Sequence, residues 1–298
     1  MKKLASLLLA GALSFGLLAG CGNSSGTGTA STPAPADSQA PTADAQTTAE
    51  TGTDLEGTVL KVGATPAPHA EILEVVKDIL AEQGITLEIA QYNDYVQPNN
   101  AVEDGSLDAN YFQHITYMND FNEEYGTHLV SAAEVHYEPM GLYAGKTKSI
   151  DELADGALIG LPNDATNEGR ALLVLQQEGL ITLAEDAGIT ATINDIVDNP
   201  KNLQFSEMEA AQLPLRLADL DLAVINGNYA IDAGLKMADA LAVESADGEA
   251  AQAYVNVLAV KEGRENDPAI QALAAALCSD EVKAYIDETY DGAVVAVF

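Results

Sequence analysis

Residues 58–89 read TVLKVGATPAPHAEILEVVKDILAEQGITLEI and contain one complete strand–helix–strand pattern. Thr58 to Val62 is rich in β-branched residues and Ile85 to Ile89 alternates between apolar and polar residues, so both segments predict strands. Gly84 is suited to end the helix between them. The stretch predicts a βαβ unit with a right-handed crossover and a sheet covered by helices. The helical face expected to be buried comprises Ile72, Val75, Val76, Ile79 and Leu80.

The alternation of strands and helices continues to the end of the chain. Short apolar segments predict further strands around residues 129–133, 157–161, 222–225 and 254–260, with amphipathic helices between them. This order of elements predicts the α/β class. Ligands of such folds bind beyond the carboxyl ends of the strands, so polar residues at those ends are candidates for a binding site.

The N-terminus has the pattern of an export signal. Lys2 and Lys3 precede an apolar run from Leu4 to Leu18, and Ala19-Gly20-Cys21 follows. The run is shorter than the about 20 residues of a membrane-spanning helix, and small residues before Cys21 suit cleavage directly before a modified thiol. We predict a signal peptide over residues 1–20. The alternative is an ordinary secretory signal in which the cysteine occurs by chance.

The Leu-Ala-Gly-Cys tetrad at residues 18–21 resembles the bacterial lipobox. That resemblance implies a diacylglyceryl group on the sulfur of Cys21, and several acyl chains suffice for stable anchoring. The following segment is rich in Gly, Ser, Thr, Ala, Pro and Gln and contains no aromatic residue. Residues 21–56 therefore predict a lipidated cysteine and a disordered tether with an r.m.s. reach of about 30 to 35 Å.

The formal net charge of −33 argues against nucleic acid as a partner, because the chain offers few cations to neutralise phosphates. We interpret the acidity as solubility and mutual repulsion rather than cation storage. The chain has only two cysteines, which excludes a disulfide framework. No Gly-x-Ser-x-Gly, phosphate-binding loop or dinucleotide fingerprint is present, so we predict no cofactor and no enzyme.

Arg170 belongs to a candidate anion site. Asn163 to Arg170 follows the strand predicted at 157–161, and a helix is expected to start near Thr166. The N–H groups of a helix N-terminus and the planar fork of an arginine both suit a carboxylate. The alternative is a capped helix whose arginine pairs with Glu168 or with solvent. A calcium loop is excluded because Leu175 stands where a bidentate glutamate is required.

Aromatic residues are concentrated just upstream of that motif. Five of the sixteen aromatic residues lie between positions 92 and 117, and His114 lies among them. Such a group could line an apolar, polarisable pocket suited to a thioether, because sulfur meets aromatic edges favourably. The alternative is core packing. The other histidines, His69, His128 and His136, lack the spacing of a zinc site, so we predict no metal, and a metal-binding role stays open as the alternative.

Two asparagines lie at or near the ends of apolar strands. Asn226 follows Leu222 to Ile225, and Asn256 lies in the strand predicted at 254–260. A buried amide is costly unless it is hydrogen-bonded. Each amide could therefore bind the amino group of a ligand, or else be satisfied by the backbone.

Taken together, these segments resemble the methionine-binding NlpA/MetQ family of lipoproteins, the capture subunits of ABC importers. The resemblance extends from about Leu60 to Val294 and keeps the motifs in order. It implies an α/β, two-lobed, periplasmic-binding-protein-like (type II) fold with two crossover strands, near 142–146 and 254–260. The motifs are Gln91 to Asn99, Phe112 to His114, Pro162 to Arg170, Asn199 to Asn202, Ala223 to Asn226 and Tyr254 to Asn256.

The resemblance also implies lobe boundaries, a ligand and partners. One lobe is expected from residues 57–143 plus 257–298 and the other from 144–256. The side chain of methionine is expected among Tyr95, Phe112, His114 and Tyr117. Its backbone end is expected at Arg170, Asn226 and Asn256, with Asn167 as a weaker candidate.

The implied role is capture of methionine and delivery to an ABC permease with its ATPase subunits, from a lipid anchor on the extracytoplasmic side of the cell membrane. The alternatives are the same role for a methionine-containing dipeptide, D-methionine or another amino acid, and a surface adhesion lipoprotein without transport.

Overall fold

The computed structural model describes residues 55–245 and 252–298. The predicted signal peptide, the lipidation site Cys21 and nearly all of the predicted tether lie outside these ranges. In the described ranges, no helix combines the length and apolar character needed to cross a membrane.

The strands divide into two main sheets and a small hairpin. In chain order they are β1 Val59–Ala64, β2 Thr86–Gln91, β3 Ala109–His114, β4 Leu129–Tyr137, β5 Gly141–Ala144, β6 Leu158–Pro162, β7 Thr182–Leu183, β8 Ile196–Asp198, β9 Gln204–Met208, β10 Leu222–Ile225, β11 Ala242–Val243, β12 Val255–Lys261 and β13 Val295–Ala296. The first sheet has the order β13-β4-β12-β3-β1-β2 and the second β11-β5-β10-β6-β9, while β7 pairs with β8.

The α-helices that we label are α1 Glu71–Ala81, α2 Gln97–Glu103, α3 Ile115–Tyr125, α4 Ala165–Gln177, α5 Leu213–Arg216, α6 Gly227–Asp232, α7 Pro268–Leu277 and α8 Asp280–Thr289. The predicted βαβ unit is confirmed, because β1 and β2 pair in parallel with Val62 opposite Ile89. Within α1, Ile72, Val76 and Leu80 are fully buried as predicted.

The buried face of α1 differs slightly from the sequence prediction. Val75 and Ile79 are only partly buried, whereas Leu73 is fully buried. Contact of α1 with both α7 and α8 accounts for the burial of Leu73, because a helix covered on a second side buries residues beyond a single stripe.

The second sheet positions the residues that follow its strands. Strands β6 and β10 are parallel neighbours, so Asn163 and Asn226 follow strands that end at the same edge. Leu172 and Leu175 of α4 pack in the core that contains Ile159 of β6, which fixes the helix against the sheet.

The chain leaves the first sheet after β4 and enters the second at β5, then returns from β11 to β12. Strand β4 is longer than the predicted 129–133 because it continues through the buried residues Val135, His136 and Tyr137. The antiparallel pairing of β12 with β3 places Asn256 opposite His114. The passage between the sheets therefore brings the end of β3, the start of β12 and the edge of the second sheet together.

Candidate ligand-binding site

A cavity of about 330 Å³ lies where these segments meet. All eight side chains predicted to bind a ligand line the cavity: Tyr95, Phe112, His114, Tyr117, Asn167, Arg170, Asn226 and Asn256. Four further residues line it that the sequence did not indicate: Gln113, Glu138, Gly227 and Asn228.

One wall of the cavity is aromatic. The ring centroid of Tyr95 lies 5.6 Å from those of Phe112 and Tyr117 and 5.0 Å from that of Tyr229. The hydroxyl group of Tyr95 donates to Oδ1 of Asn228 at 2.6 Å. Burial raises the pKa of Tyr95 and of Tyr117 far above the ordinary value, so both phenols are neutral. The wall is apolar and its ring edges suit a thioether.

Arg170 forms a buried ion pair. Its Nε donates to Oε1 of Glu244 at 2.8 Å and its Nη2 to Oε2 at 2.5 Å, and Nη2 also donates to the carbonyl oxygen of Glu138 at 2.7 Å. The guanidinium carbon lies 4.2 Å from the ring centroid of Tyr254. Burial lowers the pKa of Arg170, but Glu244 outweighs it and the net pKa is raised. Arg170 is therefore a fixed cation at the cavity.

The two sequence alternatives for Arg170 are both wrong. Arg170 is 3% exposed, so it does not face solvent. Glu168 does not pair with it, because Oε1 of Glu168 accepts from the backbone N–H of Ile193 at 2.9 Å. Helix α4 begins at Ala165, next to the predicted start near Thr166, which places Arg170 in the second turn.

An amide chain connects the two sheets. Oδ1 of Asn167 accepts from Nδ2 of Asn226 at 2.7 Å and lies 3.2 Å from Nε2 of His114. Asp164 caps α4 and accepts from both the backbone N–H and Nδ2 of Asn167. Within the described ranges, Oδ1 of Asn226 and Nδ2 of Asn228 are buried without a hydrogen-bond partner. A buried polar atom without a partner is costly, so both atoms are suited to polar groups of a ligand.

His114 is held in its neutral form. It caps α3, where Nδ1 accepts from the backbone N–H of Tyr117 at 3.0 Å, so Nε2 carries the proton. Burial, with a smaller contribution from Arg170, lowers the pKa of His114 to about 3.

We expect His114 to make the fold acid-sensitive. A histidine with a folded pKa of about 3 and an unfolded pKa near 6.5 contributes stability that is present above pH 6.5 and lost as the pH falls; at pH 5 the loss is about 2 kcal/mol. Urea unfolding of wild type and His114→Asn at pH 7.5 and pH 5 measures this share. The variant should lose about 2 kcal/mol less over that interval. Equal losses in the two proteins would contradict the expectation.

His69 and His136 are far apart in the sequence but lie close together in the fold. Nε2 of His69 and of His136 lie 3.2 Å and 2.7 Å from Oε1 of Glu138. His128 lies elsewhere and pairs with Glu103. The sequence contained no signal for this cluster. The strand predicted at 129–133 ended before Glu138, which directly follows the longer β4 of the structure, and the two histidines lay far apart in the sequence.

Comparison with known proteins places these observations in a family. The family model described as NlpA lipoprotein matches residues 60–298. The chain is 38% identical over 304 aligned residues to the methionine-binding lipoprotein MetQ of Bacillus subtilis. The alignment covers 100% of this chain and 99% of that protein.

Two solved structures resemble the chain closely. One is a nutrient-binding protein from Burkholderia cenocepacia bound to methionine, with 42% identity, a TM-score of 0.77 and coverage of 80% of this chain and 100% of that chain. The other is an ABC transporter periplasmic substrate-binding protein from Coxiella burnetii, with 40% identity, a TM-score of 0.75 and the same coverage. These structures confirm the predicted two-lobed α/β fold class of periplasmic binding proteins.

Proposed function

The chain belongs to the NlpA lipoprotein family, and from that premise we propose that it binds methionine outside the cytoplasm and delivers it to an ABC importer. One observation carries the proposal: all eight side chains that the sequence assigned to a methionine site line one cavity. The likeness to a methionine-bound structure at 42% identity supports the same ligand. The proteins named in the comparisons are binding proteins, and this chain is a binding protein rather than an enzyme.

The chemistry of the cavity supports a ligand with one thioether arm and one zwitterionic end. The thioether would contact Tyr95, Phe112 and Tyr117. The carboxylate would bind Nη1 of Arg170, because Nε and Nη2 are already engaged by Glu244 and Glu138. Asn226 and Asn256 would complete the polar end. Since the cavity is formed from both sheets, ligand binding would favour a closed arrangement that a permease can recognise.

Isothermal titration tests the ligand. The protein is first unfolded and refolded to remove any molecule bound during purification, and then titrated in parallel with L-methionine, D-methionine, a methionine-containing dipeptide and L-alanine. We expect one site per chain with highest affinity for L-methionine. Binding of D-methionine or the dipeptide alone would change the identity of the proposed ligand but would still support a solute-binding protein. No binding of any of the four would favour an adhesion lipoprotein.

We further propose that the binding domain is anchored by lipid at Cys21 on the extracytoplasmic side of the membrane, and that residues 21–56 tether it there. The family name and the lipobox-like tetrad support this proposal. We also propose that residues 57–143 and 257–298 form one lobe of the binding domain and residues 144–256 the other. Mass spectrometry of the mature N-terminus tests the anchor: an unmodified thiol at Cys21, or an N-terminus at another residue, would contradict it.

A further inference from the structure

Glu138 is a buried carboxylate that lines the cavity. It follows β4 in the passage between the two sheets and is 5% exposed. On the side of the second sheet it faces Gly227: a Cβ atom at that glycine would lie 2.9 Å from Oε2 of Glu138. The absence of a side chain at Gly227 therefore lets the Glu138 carboxylate sit directly against the start of α6.

The histidine pair lies at only one of the two carboxylate oxygens. Nε2 of His69 and Nε2 of His136 both lie near Oε1 of Glu138. Their Nδ1 atoms face hydroxyl groups, that of Thr65 at 2.7 Å for His69 and that of Tyr111 for His136. A hydroxyl that donates to each Nδ1 leaves a proton on each Nε2. Nε2 of His136 then donates to Oε1 of Glu138 at 2.7 Å, whereas Nε2 of His69 donates to Oδ1 of Asn256 at 3.1 Å and lies 3.2 Å from Oε1 of Glu138. In the described chain, Oε2 accepts no side-chain hydrogen bond, and the backbone N–H of Asn228 is a further donor to the Glu138 carboxylate.

Among the described residues around the cavity, two carboxylates, those of Glu138 and Glu244, share one cation, Arg170. Arg170 is matched by Glu244 at 2.5 Å. Burial lowers the pKa of His69 to about 4 and that of His136 and His114 to about 3, so none of the three offsets a carboxylate near neutral pH. Burial also raises the pKa of Glu138, which reflects the cost of its charge at this position. A cation near Oε2 would offset that cost.

A metal ion is the competing occupant, since each of the three side chains offers a ligand atom and these atoms lie within 4.8 Å of one another. The 2.7 Å separation between Nε2 of His136 and Oε1 of Glu138 is a hydrogen-bond distance. Two ligands about 2.0 to 2.1 Å from one tetrahedral zinc ion would lie about 3.3 Å apart. The geometry therefore favours a proton between these atoms.

We propose that Glu138 binds the α-ammonium group of the ligand through Oε2, and that His136 is a positioning residue that holds Oε1. The inference rests on the proposed amino-acid-binding function and deepens it, because it makes a free ammonium group a requirement of the site. The unpartnered Oδ1 of Asn226 is a second acceptor at the same cavity. Analogues of methionine that lack the ammonium group are accordingly poor ligands.

The test compares L-methionine with 4-(methylthio)butanoate, which keeps the thioether and carboxylate but has no amino group. Titration of the refolded full chain should show the wild type preferring L-methionine on the order of 100-fold, because an uncompensated buried charge is costly to binding. Glu138→Gln should weaken L-methionine on the order of 100-fold and leave the analogue within about threefold, so the preference collapses. Glu168→Gln is the matched control, a buried glutamate that does not line the cavity, and should keep the wild-type preference.

The role of His136 is tested by the same ratio. His136→Phe removes the donor to Oε1 and should reduce the preference for L-methionine, whereas His136→Gln retains an N–H donor and should restore part of it. Unchanged preference in Glu138→Gln, or equal weakening of both ligands, would overturn the proposal. So would stoichiometric zinc binding to EDTA-treated wild type that Glu138→Gln abolishes while L-methionine affinity stays the same. A wild type that does not bind L-methionine at all would instead overturn the proposed function, and this inference with it.

Discussion

Arg170→Ala is expected to weaken methionine binding by about 30-fold to 5,000-fold, which corresponds to about 2 to 5 kcal/mol for loss of one partner of a desolvated charge pair. The ligand carboxylate would lose its cation in a cavity where Arg170 is 3% exposed. Solvent could not replace the guanidinium without opening the site. Isothermal titration of the refolded variant measures the loss.

The same substitution also leaves Glu244 without its buried partner. Among the described residues, its remaining donors are the hydroxyl group of Tyr137 at 2.6 Å and the backbone N–H of Met140 at 3.2 Å. Breaking a buried ion pair by removing one partner costs about 3 to 5 kcal/mol of folding stability. Weak binding in Arg170→Ala could therefore reflect partial unfolding instead of a lost contact.

A second variant separates these causes. Arg170→Ala combined with Glu244→Gln replaces the stranded carboxylate by a neutral amide, so part of the stability should return while binding should not. Arg170→Lys keeps the charge but loses the planar fork, and we expect intermediate affinity. If the double variant recovers both stability and methionine affinity, the carboxylate binds elsewhere and the role of Arg170 is structural.

The residues of the site could be predicted from the sequence where local chemistry marks them. Asn226 comes at the end of a strand that the apolar run 222–225 predicted, whereas His114 was indicated by the aromatic residues around it and by the family resemblance. Asn167 and Arg170 lie near the start of a helix that follows a strand. These positions depend on neighbours within a few residues.

The partners of those residues could not be predicted in the same way. Glu244 is 74 positions from Arg170, and His69 and His136 meet Glu138 only because β4 follows the first sheet to the point where the chain crosses to the second. No periodicity links such positions. The sequence therefore identified the cation at the cavity but not the carboxylate that fixes it, and assigned no role to Glu138.

Gly145→Ala is expected to reduce the free energy of unfolding by at least about 3 kcal/mol, at the upper end of the cost of overpacking. Gly145 follows β5, and its N–H donates to the carbonyl oxygen of Asp221 at 3.0 Å. A Cβ atom there would lie 2.3 Å from the carbonyl oxygen of Leu220 and 2.4 Å from that of Leu217. Both obstacles are backbone atoms, so no side-chain rotation relieves the collision, and β5 would have to separate from the chain before β10.

The matched control is Gly105→Ala, where φ is +81° and no heavy atom lies within 4 Å of the added Cβ. That substitution introduces left-handed backbone strain without a collision and should cost about 1 to 2 kcal/mol. Thermal unfolding of the two variants should therefore place Gly145→Ala below Gly105→Ala, with a decrease in Tm from wild type of about 6 to 12 °C for a loss of about 3 kcal/mol. A Gly145→Ala protein as stable as Gly105→Ala would mean that β5 and the segment 217–221 are not packed backbone against backbone. In that case β5, which follows the passage that carries Glu138, would not be attached to its neighbours as the structure shows.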